Sequence, residues 1–176
     1  ISISFTLNKS FNINTFNNVV KSENSNFPAL SRAATPVSGP TAPVLGRDKE
    51  IQDLRLNLRN PEKANVIVLA DPGTGKSAVV QGLAFDNNSS QYLTVSVDVE
   101  RLAQDPNADK DAEMANGLLD LVEETKEYSK LYNVIVILFI DEFHRIAMIS
   151  PSAVESLKPI LEKSANFGFR VIAATT

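Results

Sequence analysis

The sequence predicts an α/β sandwich with a mainly parallel sheet. Short, uninterrupted apolar runs alternate along the chain with longer segments of helical periodicity, and several of the runs end in polar residues. Strands that are buried on both faces read as continuous apolar runs, and strands that alternate with helices form parallel sheets. With 176 residues, 43% of them hydrophobic, the chain is long enough for one domain with its own core.

Each element follows from a local pattern. Apolar runs predict strands at residues 65–70, 91–99, 134–142 and 169–176. Apolar residues spaced three or four positions apart predict helices at residues 47–58, 76–85, 111–132 and 150–166. The last helix contains Pro159, which predicts a kink.

Residues 1–43 differ in composition from the rest. They are rich in Asn, Ser and Thr and then in Pro, so we predict a leader or linker with a boundary in the Pro-rich stretch 28–43. The runs "ISISFTL" and "FNINTF" alternate apolar and polar residues, which leaves a small hairpin as the alternative. The domain proper is predicted over residues 44–176.

Composition and charge exclude several classes of function. The net charge is −4, the pI is about 5.1, and no Lys/Arg cluster is present, which argues against nucleic-acid and membrane-surface partners. The chain has no cysteine, so disulfides and cysteine-based metal sites are excluded. We expect a cytoplasmic location, because no secretory signal or spanning segment is visible. We also expect a longer protein, because the chain starts at Ile1 and stops at "AATT".

The stretch "ADPGTGKS" has the spacing of a phosphate-binding loop between a strand and a helix. Ala70 stands where the usual first glycine of the loop stands. That position ends the strand and needs little room, so an alanine is tolerated there if its φ is negative. The inner glycines allow backbone N–H groups to approach an anion, and the following helix adds its positive dipole end. Lys76 would contact the β- and γ-phosphates, and the Ser77 hydroxyl would bind Mg²⁺. The alternative is a glycine turn without a ligand. The predicted binding residues are Asp71, Pro72, Gly73, Thr74, Gly75, Lys76, Ser77 and Ala78.

Two acids close the third predicted strand, in "VILFIDEFH". Parallel sheets bind ligands at the carboxyl ends of their strands, so Asp141 is predicted to bind Mg²⁺ through water. Glu142 is predicted to orient and deprotonate an attacking water. The alternative is an acidic helix N-terminus. His144 is interpreted as a structural or surface group, and Arg145 as a solvent-facing or intersubunit group.

The last predicted strand ends with Thr175 and Thr176, at the same edge of the sheet. A hydroxyl at this place would hold the attacking water near the γ-phosphate. The alternative is a β-branched strand ending without a catalytic function.

Five segments, taken in order, resemble the nucleotide-binding domain of AAA+ ATPases. They are "VLGRDKEI", "ADPGTGKSAVVQGLA", "VILFIDEFH", "SLKPIL" and "RVIAATT", and they are most similar to the first ATPase domain of Clp unfoldases and disaggregases. The resemblance covers residues 44–176. It implies a P-loop NTPase fold, a three-layer sandwich here truncated before the last strand and the helical lid.

The resemblance also implies a function. Val44 and Leu45 would contact the adenine, and Thr176 falls on the family's sensor position. Such domains bind ATP with Mg²⁺, form homo-hexameric rings and use hydrolysis to pull protein substrates, which in some cases pass to a protease. The segments that follow the sensor in the family, including an arginine contributed by a neighbouring subunit, are absent from these 176 residues. We therefore expect the fragment to bind ATP weakly and to hydrolyse it very slowly, since such an arginine contributes about 10³–10⁵ in rate.

Two features depart from the family pattern. The segment that would carry the pore loop, "VERLAQDPNADKDAEM", has no aromatic residue and no glycine, and the connection "FDNNSS" is short. Three functions therefore remain: an ATP-driven protein remodeller, a nucleotide-dependent switch or adaptor that threads no substrate, and an ATPase acting on nucleic acid. The absence of basic loops argues against the third function, and Glu142 argues against a domain that only binds nucleotide.

Overall fold

The computed structural model describes residues 12–38, 46–60, 65–69, 76–87, 91–103, 105 and 107–175. Its helices are α1 (residues 12–20), α2 (Pro28–Ala33), α3 (Asp48–Arg59), α4 (Lys76–Asn87), α5 (Lys110–Tyr132), α6 (Phe143–Ile149) and α7 (Pro151–Glu162). Its strands are β1 (Ala34–Pro36), β2 (Val66–Leu69), β3 (Tyr92–Val97), β4 (Ile135–Ile140) and β5 (Phe169–Thr175). Short 3₁₀ turns lie at Val99–Arg101 and Ser164–Phe167.

The strands form one sheet in the order β1-β3-β4-β5-β2. Strands β3, β4, β5 and β2 run parallel to one another. Strand β1 pairs antiparallel with β3 at the edge of the sheet. The predicted α/β class with a mainly parallel sheet is therefore confirmed. The antiparallel edge strand was not predicted, because a three-residue strand is too short to show periodicity.

Helices cover both faces of the sheet, and β4 shows this directly. Val136, Leu138 and Ile140 belong to one buried cluster, to which α5 and α7 also contribute. The alternate residues Ile137 and Phe139 belong to a second cluster, with α3 and α4. Because successive side chains of a strand point to opposite faces, the sheet is the middle of three layers.

The N-terminal segment is part of the first core. Phe16 and Val20 on α1 and Leu30 on α2 are fully buried there. The Glu124 carboxylate of α5 accepts hydrogen bonds from the Ala29 and Leu30 N–H groups at 3.0 and 2.9 Å, at the start of α2. Burial raises the pKa of Glu124, since desolvation disfavours its charged form.

Two expectations for the N-terminal segment are thus wrong over the described residues. The hairpin strand expected within residues 11–16 is helical from residue 12, because the apolar side chains of Phe16 and Val20 gain a core at helical spacing. Residues 12–36 are also not a flexible leader, because β1 pairs with β3 and covers the sheet edge. The boundary at residues 43/44 stays a prediction, since residues 39–45 lie outside the described part.

Among the helices of the described ranges, none is both long and apolar enough to cross a lipid bilayer.

Helix α5 packs tightly against the segment that follows β3. A Cβ added at Gly117 would collide with the carbonyl group of Leu102, whose side chain is fully buried. The absence of a side chain at Gly117 therefore fixes how close α5 lies to residues 99–102, the segment that carries Glu100 beside the acidic pair.

We expect Gly117→Ala to destabilise the domain by about 1–3 kcal/mol, because overpacking costs this much in a closed core. The sign of the change in the free energy of unfolding is informative, since Gly→Ala in an unobstructed helix stabilises by about 1 kcal/mol. Asn116→Ala, at an exposed position one residue earlier, is the matched control and should not lower the midpoint temperature of thermal unfolding. Thermal unfolding followed by circular dichroism measures both. A higher midpoint for Gly117→Ala would show that α5 and Leu102 are further apart.

Candidate functional site

The carboxyl ends of three parallel strands meet at one edge of the sheet. In the register, Leu69 at the end of β2 lies opposite Thr175 at the end of β5, and Ile140 at the end of β4 lies opposite Ala173. Strands lie about 4.8 Å apart, so the exits of β2 and β4 are separated by about 10 Å, with β5 between them. This span is of a size to hold phosphate groups and a hydrated cation.

The strand and the helix predicted on either side of the phosphate-loop stretch are confirmed. Strand β2 ends at Leu69 and α4 begins at Lys76, which places Lys76 and Ser77 in the first turn of this helix. Ala78 follows and is half-buried.

Several predicted site residues lie outside the described part of the chain, and their roles stay predictions. Those of the loop are Ala70, Asp71, Pro72, Gly73, Thr74 and Gly75. Those predicted to contact the adenine are Val44 and Leu45, and the predicted sensor is Thr176.

The acidic pair follows β4 directly and turns sharply into α6. Asp141 is half-buried, and its Oδ1 accepts a hydrogen bond of 2.8 Å from the Glu142 N–H group. Glu142 has φ 53° and ψ 43°, the left-handed region that non-glycine residues rarely occupy. This backbone costs about 1–2 kcal/mol in a residue with a Cβ and is typical of functional sites.

The alternative interpretation of the acidic pair was a helix N-terminus. Helix α6 does begin at Phe143, with Glu142 at its N-cap position. The Glu142 side chain forms no capping hydrogen bond, however, so it does not serve the helix as a cap. The structure therefore contains the helix, but the Glu142 carboxylate does not cap it.

An arginine of α6 holds the Glu142 carboxylate. Arg145 Nη1 lies 3.3 Å from Glu142 Oε2, and Arg145 Nη2 lies 2.5 Å from Glu100 Oε1. The hydrogen bond and the charge of Glu100, with a smaller contribution from Glu142, raise the pKa of Arg145. All three side chains are partly exposed, so this arrangement orders the groups more than it stabilises the fold.

A cleft of about 470 Å³ opens on the β3 side of the acidic pair. Ser96, Asp98 and Glu100 line it from the end of β3 and the turn that follows, and Asp141 and Arg145 line it from the β4–α6 side. Sequence reasoning missed this bridge of Glu100, Arg145 and Glu142, because Arg145 is 45 residues from Glu100 and only the packing of α6 brings the two together. Arg145, expected to face solvent or another subunit, is paired within the chain.

His144 links α6 to the end of β5. Its Nδ1 lies 3.1 Å from Thr175 Oγ1, and both residues are half-buried. The interpretation of His144 as a structural or surface group agrees with this contact. The sequence contained no signal for the partner, which is 31 residues away.

Comparison with known families decides the identity of this domain. The family described as "ATPase family associated with various cellular activities (AAA)" matches residues 66–176. The chain belongs to this AAA family. The match runs from β2 through β5, so it contains the strand before the phosphate loop and the whole acidic edge.

Proteins of the Clp group are among the relatives that this AAA domain resembles. The chain is 31% identical to the chaperone protein ClpB of Bacteroides thetaiotaomicron over 173 residues, which is 89% of this chain and 19% of that protein. It is 32% identical to the AAA+ ATPase ClpV1 of Pseudomonas aeruginosa over 149 residues, which is 79% of this chain and 16% of that protein. The resemblance to Clp-type AAA+ domains is therefore confirmed.

Two solved structures have a similar fold. The S. cerevisiae Hsp104–ADP complex superimposes with a TM-score of 0.64 and 25% identity, over 84% of this chain and 21% of that one. A second S. cerevisiae structure, an Hsp104:casein complex in an extended conformation, gives a TM-score of 0.60 and 27% identity, over 84% of this chain and 26% of that one. The matched region spans only 19% of the ClpB chain and 16% of the ClpV1 chain, so this AAA domain corresponds to a part of each of those proteins.

We expect Glu142→Asn to stabilise the domain by about 1 kcal/mol, because Asn tolerates the left-handed backbone and is a favoured N-cap residue. Glu142→Gln is the matched control, since it removes the charge but keeps a long side chain. The unfolding midpoint should rise by about 2–4 °C for the first variant only. Equal midpoints for both variants would mean that the backbone at position 142 stores no strain.

Proposed function

We propose that this AAA domain binds and hydrolyses ATP within a larger Clp-type protein-remodelling machine. The single observation that carries the proposal is the shared edge of the sheet. The strand before the "GTGKS" loop, the polar end of β5 and the acidic pair after β4 lie side by side within about 10 Å. A nucleotide held after β2 would therefore have its phosphates on the same edge as the acidic pair.

Each group in this arrangement has a role in the proposed reaction. Backbone N–H groups of residues 71–78 and the Lys76 ammonium would hold the phosphates, as in other phosphate loops. Val44 and Leu45 would contact the base of the nucleotide. Glu142 would accept a proton from the attacking water, and Thr176 would orient that water or the γ-phosphate.

Magnesium fits the residues at this edge. The Ser77 hydroxyl would bind the ion directly, and Asp141 would bind it through water. In the described part of the chain no group of three or more acidic, histidine or cysteine side chains could hold a metal. Mg²⁺ bound with a nucleotide does not need such a group, because it retains several waters and takes further ligands from the phosphates. Its chemistry would be to neutralise charge on the β- and γ-phosphates.

The proposed partners follow from the relatives. One Hsp104 structure is a complex with casein, which supports a polypeptide as the substrate class. We propose a homo-hexameric ring for the full-length protein, and a protease is a further candidate partner. The fragment of 176 residues would be nearly inactive alone, because a neighbouring subunit's arginine and the helical lid belong to the complete site. A cytoplasmic location is part of the same proposal.

One observation favours the second candidate, a switch or adaptor that threads no substrate. The segment after β3, where the family carries its pore loop, is tied down in its described part. Leu102 is fully buried, and the Asp98 carboxylate accepts a hydrogen bond from the Glu100 N–H group at 3.1 Å. The Asp105 N–H group donates to Glu113 Oε2 at 3.1 Å. A loop held this way, without an aromatic side chain, is poorly suited to gripping a polypeptide.

Two variants of the full-length protein test the nucleotide chemistry. Lys76→Ala should lose ATP binding, because the main cation at the phosphates is removed. Glu142→Gln should still bind ATP but hydrolyse it at least about 100-fold more slowly, because the base contributes about 10²–10⁴ in rate. Fluorescent-nucleotide binding and phosphate release measure these effects. Normal hydrolysis by Glu142→Gln would remove Glu142 from the role of the base.

Steady-state hydrolysis with and without casein separates the two candidate functions. We expect an unfolded polypeptide to stimulate the full-length protein, because a threading machine couples substrate to turnover. Native serum albumin at the same concentration is the control for crowding and non-specific contact. Robust hydrolysis that ignores casein would favour the switch or adaptor.

A further inference from the structure

The side chain of Thr175 occupies the middle of the proposed site. It is the last residue of β5, and it lies opposite Leu69, the last residue before the phosphate-loop stretch. On the other side β5 borders β4, whose end carries the acidic pair. Any movement of this strand end would change the distance between the groups that hold phosphate and the groups that activate water.

His144, on α6, contacts the end of β5 at Thr175. It lies two residues after Glu142 on α6, and its Nδ1 lies 3.1 Å from Thr175 Oγ1. The helix that carries it is fixed in the core, because Ile146 is fully buried. Ser150, at the end of α6, is also buried and donates to the Asp111 carboxylate at 2.6 Å. The imidazole therefore projects from a rigid element.

We infer that His144 is a positioning residue that locks the polar end of β5 to the acidic pair. It fixes the Thr175 hydroxyl relative to Asp141 and Glu142. The effect on catalysis rests on the proposed function, whereas the lock itself does not.

The chemistry of the imidazole suits this task. Nδ1 accepts a hydrogen bond from the Thr175 hydroxyl in one neutral tautomer and donates to it in the other, so the contact survives either state. A hydrogen bond of this kind adds little to stability but specifies one arrangement of two elements. Its loss is expected to widen the distribution of geometries at the site, which slows the chemical step more than it weakens binding.

Substitutions at His144 can separate Nδ1 from the rest of the ring. An Asn side chain places a polar atom at the position of Nδ1, and a Gln side chain places it nearer that of Nε2. His144→Asn should therefore retain the lock, whereas His144→Gln and His144→Ala should lose it. Thr175→Val removes only the hydroxyl. Met148→Ala is the control on the same helix, since the Met148 side chain is 79% exposed.

The first test is steady-state hydrolysis by the full-length protein. His144→Ala and Thr175→Val should each lower kcat about three- to ten-fold, the range that one lost hydrogen bond produces. The KM for ATP should change less than about two-fold, because the phosphate loop is untouched. The double variant should be no slower than either single variant. Additive losses, or a wild-type rate in His144→Ala, would overturn the inference.

The second test reads the contact without hydrolysis. His144 is the sole histidine of these 176 residues, so ¹⁵N-histidine labelling of this chain gives one imidazole spin system. Thr175→Val should shift the Nδ1 resonance by several ppm, and Met148→Ala should leave it in place. An unchanged resonance in Thr175→Val refutes the lock. If the wild-type protein hydrolyses no ATP, the proposed function fails, and this spectrum still decides whether the lock exists.

Discussion

The parallel alignment of β2, β5 and β4 is the constraint on which the rest of this domain depends. Parallel strands point the same way, so everything that follows them in sequence is delivered to one edge of the sheet. The phosphate-loop stretch, the threonine pair and the acidic pair are separated by dozens of residues in the chain. The sheet places the ends of β2, β5 and β4, which these segments adjoin in sequence, within about two strand spacings of one another.

That alignment is stable because β4 is buried on both faces. Its side chains alternate between the cluster under α5 and α7 and the cluster under α3 and α4, so a slip of one residue would exchange the two sets. The N-terminal segment covers the edge at β3 through β1 and adds Phe16 and Leu30 to the first cluster. Because helices occupy both faces, the carboxyl ends of the strands are where the sheet offers polar groups to a ligand.

Helix α6 organises that edge. It is only seven residues long, yet its side chains contact the ends of both strands that border β4. His144 contacts the end of β5, and Arg145 bridges Glu142 and Glu100 after β3. The left-handed backbone of Glu142 turns the chain from β4 directly into this helix. A strained residue and a short, well-anchored helix therefore set the geometry of groups that the strands alone only bring near.

Much of this domain was determined by the sequence itself, because periodicity and spacing are local properties. The runs at residues 65–70, 134–142 and 169–176 predicted parallel strands, and the pattern "GTGKS" and the pair Asp141 and Glu142 predicted the kind of site. The N-terminal helix was not predicted, and the alternative to a leader was a hairpin strand, since "FNINTF" alternates at short range and its helical spacing matters only once a core exists for Phe16. Only tertiary structure decided that core, the edge strand β1, and the side-chain contacts from α6 to Glu100 and Thr175. Such contacts join residues that no local pattern relates, so they exist only after the layers have packed.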